Sequence, residues 1–122
     1  MPCTASGAPR SHRARFRGVY WIVWSFDVKP AQVTAFERAY GPDGDWVRLF
    51  QRAPGFSGTE LRCEADRPAH YLTIDRWRTR DDYNRFKDAF SVEYGVLDAR
   101  CAALTHAERK IGAFETTAQE RQ

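Results

Sequence analysis

The sequence predicts an α+β protein of the ferredoxin-like order β-α-β-β-α-β, in which helices cover one face of an antiparallel sheet. Four segments rich in β-branched and aromatic residues predict strands, and the segments between the outer strands carry apolar residues at helical spacing. A short polar connection joins the middle two strands, as in a hairpin. The chain has 122 residues, of which 43% are apolar and 14% aromatic, and this suits one compact domain.

The first strand is predicted at Val19–Val28, where apolar residues occupy both faces over most of the length. Pro30 follows and suits the first turn of a helix. The apolar residues of this helix recur at helical spacing, at Val33, Phe36 and Tyr40.

Residues 41–44 (Gly-Pro-Asp-Gly) interrupt the helical pattern, so we expect the first helical segment to be divided in two. Asp45 is a candidate N-cap of the second piece. Its apolar face would carry Trp46, Leu49 and Phe50. The sequence Ala-Pro-Gly at 53–55 ends the piece.

The second and third strands are predicted at Phe56–Cys63 and Ala69–Trp77, joined by the polar residues 64–68. Strict alternation places Glu60 on the face of Phe56, Gly58 and Arg62. It places Asp75 on the face of Tyr71, Thr73 and Trp77.

Residues 79–82 (Thr-Arg-Asp-Asp) resemble a capping box before a helix that carries Tyr83, Phe86 and Phe90. Ser91 is a candidate cap of a second helical piece. The apolar stripe of that piece would be Tyr94, Leu97, Cys101 and Leu104. The last strand is predicted at Thr105–Phe114, although the charged residues 108–110 interrupt its apolar pattern.

Helices on one face leave the other face of the sheet uncovered. That face would carry Trp21, Val23, Leu72 and Ile74, or the alternate set, and neither set is polar enough for water. We therefore expect a homodimer that packs sheet against sheet, which gives a dimeric α+β barrel.

The charge distribution divides the chain into a tail, a domain and a second tail. Residues 1–17 hold four arginines and no acidic residue, and they are predicted to be a disordered basic tail. Without these arginines the chain has 15 basic and 16 acidic side chains. Residues 18–114 therefore lack the basic surface of a nucleic-acid-binding domain, and residues 115–122 are predicted to be a polar tail.

Composition also excludes several kinds of site. No apolar run approaches the ~20 residues that cross a bilayer, so no membrane contact is expected. The three widely spaced cysteines, Cys3, Cys63 and Cys101, support neither a disulfide framework nor a metal site. A reducing cytoplasm is the expected location.

Three segments together resemble the antibiotic biosynthesis monooxygenase family of dimeric α+β barrels. They are Phe26–Pro30 before a helix, Pro54–Leu61 after it, and Tyr71–Trp77 followed by Tyr83 and Phe86. The resemblance extends over most of the chain, from Val19 to Phe114. It implies a pocket between sheet and helices for a small apolar or aromatic ligand.

The resemblance implies a cofactor-independent monooxygenase that oxidises a small phenol or quinol with molecular oxygen, so no cofactor is expected. Such a site needs an aromatic slot, a donor to the oxyanion and a proton acceptor. The same fold also hosts proteins with other roles. A non-catalytic ligand-binding or stress-related protein is therefore the alternative function.

The candidate substrate-binding residues are the aromatic side chains Trp24, Trp77, Tyr83 and Phe86. Trp77 matches the tryptophan that ends the family's third strand, and Phe86 matches an aromatic residue of the following helix. Trp24 lies where some members carry an asparagine. Core packing is the competing interpretation of all four.

The candidate catalytic residues are His106 and Asp75. His106 begins the last predicted strand, and an imidazole accepts a proton near neutral pH. Asp75 is a candidate base because burial without a partner raises a carboxyl pKa. The competing interpretation for Asp75, and equally for Glu60, is an ion pair with a nearby arginine such as Arg62 or Arg76.

Overall fold

A computed structural model describes residues 19–117, which form a four-stranded sheet with helices against one face. The strands are β1 (Tyr20–Val28), β2 (Phe56–Cys63), β3 (His70–Trp77) and β4 (Thr105–Glu115). They lie in the order β2-β3-β1-β4, and every neighbouring pair is antiparallel. The predicted ferredoxin-like class is confirmed. The predicted basic tail and residues 118–122 lie outside the described residues.

Both helical segments are divided, as the sequence predicts. A 3-10 turn at Pro30–Gln32 leads into α1 (Val33–Tyr40), and α2 (Asp45–Phe50) follows. The second segment consists of α3 (Arg80–Ala89) and α4 (Ser91–Cys101). A second 3-10 turn, Ala102–Leu104, leads into β4.

One of the three predicted helix caps forms as expected. The Thr79 hydroxyl accepts a hydrogen bond of 3.0 Å from the backbone N–H of Asp82, which caps α3. Asp45 and Ser91 are instead the first helical residues, after Gly44 and Phe90. Phe90 caps the end of α3 and the start of α4, and its carbonyl accepts from the N–H of Tyr94, so a single residue separates the two helices.

The helices pack on the face of the sheet that carries Asp75. Phe26 of β1 contacts Phe36 of α1 with ring centroids 5.2 Å apart, and Trp77 contacts Phe50 of α2 at 5.8 Å and Phe86 of α3 at 5.2 Å. This mostly aromatic layer forms the core.

A β-bulge at the start of β2 changes which residues share a face. Phe56 pairs with Trp77 but Gly58 pairs with Arg76, so Ser57 is the extra residue. Gly58 has φ +140°, a conformation that L side chains rarely adopt. The expectation that Glu60 shares the face of Phe56 is therefore wrong, because alternation is interrupted between them. Phe56 faces the helices and Glu60 the opposite side.

The opposite face of the sheet is not covered by the described helices. It carries the cross-strand pair Trp21 and Phe114, whose exposed fractions are 39% and 49%. Val23, Leu72 and Ile74 continue this surface. Among residues 19–117, no helix combines the length and the apolar character that crossing a membrane requires.

Candidate functional site

A cavity lies between the helix-facing side of the sheet and the helices. The cavity is open to solvent and has a volume of about 50 Å³; the empty space within it and its mouth together is about 450 Å³. Thr59, Thr73 and Asp75 line it from the sheet, and the exposed carboxylates Asp98 of α4 and Glu108 of β4 also border it. The remaining lining residues are aromatic: Trp24, Phe26, Tyr40, Trp46, Phe50 and Tyr94.

Asp75 is the half-buried carboxyl group on the sheet side of this cavity. Thr59 lies opposite Asp75 on the neighbouring strand, and its hydroxyl donates to the carboxylate at 2.8 Å. Burial raises the pKa of Asp75 to about 7, against the lowering effects of the Thr59 hydrogen bond and the charge of Arg76. A carboxyl group with this pKa exchanges a proton near neutral pH.

The arginines of the β2–β3 hairpin pair with Glu60 and leave Asp75 without an ion pair among residues 19–117. Arg76 Nη1 lies 2.6 Å from Glu60 Oε2, and Arg62 Nη2 lies 3.3 Å from Glu60 Oε1. Because side chains alternate along a strand, Arg76 projects from the face opposite to Asp75. The interpretation as a buried carboxyl group with a raised pKa therefore applies to Asp75, and the interpretation as an ion pair with arginine applies to Glu60.

The helical wall of the cavity consists of stacked and edge-on rings. The Trp46 ring lies 5.0 Å from that of Tyr94, edge to face, and 6.0 Å from that of Tyr40. Burial is the main cause that raises the pKa of both tyrosines above the ordinary value, so both hydroxyls stay neutral at physiological pH.

The indole N–H of Trp46 is a buried donor without a hydrogen-bond acceptor among the described residues. Tyr40 and Cys101 are its polar neighbours, and hydrogen bonding to Trp46 is among the causes that lower the pKa of each, but neither contact meets full hydrogen-bond geometry. Only 7% of the Trp46 surface is exposed. A buried donor of this kind favours a ligand that brings an acceptor oxygen.

The family model of antibiotic biosynthesis monooxygenases matches residues 20–89, which is more than half of the chain. The chain belongs to the antibiotic biosynthesis monooxygenase family. No curated protein matches the chain.

Solved structures show the same fold in other members. SnoaB, a cofactor-independent oxygenase from Streptomyces nogalater, is 24% identical with a TM-score of 0.61, over 80% of this chain and 92% of that one. An asparagine-to-alanine variant of SnoaB is 26% identical with a TM-score of 0.56, over 85% and 95% of the two chains. A family protein from Bordetella bronchiseptica is 20% identical with a TM-score of 0.67, over 82% and 98%.

The four aromatic candidates occupy two places in this monooxygenase-family protein. Trp24 lines the cavity. Trp77, Tyr83 and Phe86 instead contact one another, with ring centroids between 5.2 and 6.3 Å apart, and are not among the lining residues. Trp77 has no exposed surface. Burial and the charge of Asp75 raise the pKa of Tyr83 to about 12, so Tyr83 is within electrostatic range of the cavity.

The other catalytic candidate, His106, lies away from the cavity lining. Asp27 pairs with Ala107 and Val28 with Thr105, so His106 is the extra residue of a further β-bulge. Its side chain is exposed. The structure therefore brings Asp75 and Trp24 to one cavity and leaves His106 outside it.

Several cavity residues are absent from the sequence-based candidates. Trp46 and Tyr94 follow helical spacing, which predicts core packing equally well. Thr59, Asp98 and Glu108 carry no local motif. The interruption of the last strand by Glu108 is the one signal that a polar group faces the helices there. Within residues 19–117, no group of His, Cys, Asp or Glu side chains is arranged to hold a metal ion.

Proposed function

We propose that this protein is a cofactor-independent monooxygenase that oxidises a small phenol or quinol with molecular oxygen, and that Asp75 is its base. One observation carries the proposal. A carboxyl group with a pKa of about 7 and no ion pair among the described residues lines a cavity whose other walls are mostly aromatic. Its protonation state changes in the pH range where general bases work best.

The reaction needs a base and oxygen but no further reductant. Asp75 takes the hydroxyl proton, and the electron-rich phenolate passes one electron to oxygen. The phenoxyl radical and superoxide then join at a ring carbon, and the peroxide takes back the proton from Asp75. The O–O bond of the hydroperoxide then breaks. Its outer oxygen leaves as water together with the hydrogen of that ring carbon, and the inner oxygen stays on the ring as a quinone carbonyl. One oxygen atom enters the product and the other leaves as water.

The cavity walls supply the remaining requirements. Trp24, Trp46 and Tyr94 offer ring faces and edges to an aromatic substrate. The unpartnered N–H of Trp46 is a donor for the phenolate oxygen, and such donors stabilise developing negative charge in sites that exclude water.

Family membership supports the reaction class. SnoaB, which shares the fold, is named a cofactor-independent oxygenase, and its variant is 26% identical to this chain. We extend that activity to this protein on the strength of Asp75 and the cavity around it.

The proposed assembly is a cytoplasmic homodimer. The pair Trp21 and Phe114, with its apolar neighbours, is the part of the uncovered sheet face that a second copy would bury. Both partners would present the same surface about a two-fold axis.

Oxygen uptake with a panel of hydroquinones and anthrones tests the function. We expect uptake above a heat-killed control, and its loss in Asp75→Asn with an unchanged circular dichroism spectrum. Asp66→Asn, an exposed loop substitution, is the matched control and should retain activity. A flat trace across the panel would contradict the proposal and favour the ligand-binding alternative.

A further inference from the structure

We propose that the ligand of the cavity is a phenol that carries a protonated amine, with the ammonium group bound near the Asp98 and Glu108 carboxylates. This inference rests on the proposed function, because it concerns the same cavity and names the charge of its substrate. Three carboxylates, Asp75, Asp98 and Glu108, line the cavity, and no lysine or arginine is among the described lining residues.

The two outer carboxylates come from different elements and meet at the cavity. Asp98 belongs to α4 and Glu108 to β4, and the side chains of both are exposed. Burial and then the negative charge of Asp98 raise the pKa of Glu108 above the ordinary value. Two negative charges that repel each other are stabilised when a cation binds between them.

Aromatic rings line the same space and favour a cation as well. Trp24 and Trp46 offer indole faces, which attract ammonium groups more strongly than other rings do. Lys87 Nζ already lies 4.5 Å from the centroid of the Tyr94 ring, so one ring of the cavity wall is in contact with an ammonium group. Lys110, the strand neighbour of Trp24, does not line the cavity.

An independent observation indicates the other end of the ligand. The Trp46 indole N–H is more than nine-tenths buried at the cavity wall and has no acceptor within hydrogen-bond geometry. A hydroxyl or phenolate oxygen would satisfy it. A ligand with an oxygen for Trp46 and an ammonium for Asp98 and Glu108 matches both features.

The proposed chemistry also requires a positive charge. Deprotonation by Asp75 creates a phenolate in a cavity already bordered by Asp98 and Glu108, which disfavour a further anion. An ammonium on the substrate compensates for this repulsion.

Calorimetric binding of three matched phenols without oxygen tests the inference. The probes are tyramine, p-ethylphenol and p-hydroxyphenylpropionate, which share a ring and differ in charge. We expect tyramine to bind about tenfold more tightly than p-ethylphenol, and the carboxylate at least about tenfold more weakly. Asp98→Asn combined with Glu108→Gln should bring the tyramine affinity close to that of p-ethylphenol.

The control variant Asp66→Asn should retain the preference for tyramine. Equal affinities for the three phenols, absence of tyramine binding, or the same preference in the double variant would overturn the inference. Its failure is distinguishable from that of the proposed function. Tyramine binding with no oxygen uptake contradicts only the reaction, whereas uptake with neutral phenols and no tyramine preference contradicts only the charge of the substrate.

Discussion

Thr59 and Asp75 lie opposite each other on β2 and β3, and the threonine hydroxyl donates to the carboxylate at 2.8 Å. This hydrogen bond stabilises the charged form of Asp75 and opposes the effect of burial. The register of two neighbouring strands thus sets the pH at which the proposed base takes up a proton.

Thr59→Val should therefore raise the pKa of Asp75 further. A hydrogen bond to a charged group contributes about 1.5–3 kcal/mol, so we expect the acidic limb of the oxygen-uptake profile to move up by about one pH unit. The profile of kcat/KM against pH measures this shift. Thr34→Val, an exposed helical substitution, is the control. An acidic limb at the same pH in all three proteins would contradict the role of Thr59.

Asp75 should also make the stability of the fold depend on pH. Its pKa is about 7 in the folded chain and 3.8, the ordinary value, in the unfolded chain, so between these pH values the folded state binds the extra proton. The free energy of unfolding should fall as the pH rises from 4 to 7, by at most about 1.4 kcal/mol per pH unit from this group. Urea denaturation measures the free energy of unfolding of the wild type and of Asp75→Asn. As the pH rises from 4 to 7, the variant should become more stable relative to the wild type. Parallel stability curves would show that Asp75 has no raised pKa.

Truncation of the two candidate substrate-binding tryptophans, Trp24 and Trp77, should have different effects. Trp24→Ala should lower the affinity for a phenolic ligand about tenfold, because it removes a ring from the cavity wall. Trp77→Ala should lower the free energy of unfolding by about 3–5 kcal/mol, because Trp77 is fully buried. Calorimetry and urea denaturation separate the two effects. A large binding loss in a folded Trp77 variant such as Trp77→Phe, with none in Trp24→Ala, would reverse the assignment.

The open sheet face should be the dimer interface. Phe114→Glu places a charge beside Trp21 and should convert the proposed dimer into a monomer, as measured by light scattering. Val92→Glu is the matched control, because Val92 is 74% exposed on α4 and lies outside the sheet. A wild-type monomer at micromolar concentration would remove the proposed interface altogether.

Much of the fold follows from local patterns in the sequence. The second strand begins and ends at the predicted residues, Phe56 and Cys63, and the third differs by one residue at its start. The Thr79 cap forms as its spacing indicates. The helices α2 and α4 begin one residue earlier than predicted, at Asp45 and Ser91, because Gly44 and Phe90 occupy the cap positions.

The candidate site was less predictable, because its residues are distant along the chain. The sequence identifies Asp75 and Trp24 from the alternation of side chains along their strands. Trp46 could not be separated from core residues by spacing alone. Asp98 and Glu108 resemble ordinary surface carboxylates until α4 and β4 place them at one cavity.

The sequence by itself determined the order of strands and helices, the face to which Asp75 belongs and the family, because periodicity and short motifs are local properties of a chain. The tertiary structure decided that Glu60 takes the arginines and that Asp75 does not. That outcome depends on a bulge at Ser57 and on cross-strand register, which bring together residues that no local pattern connects.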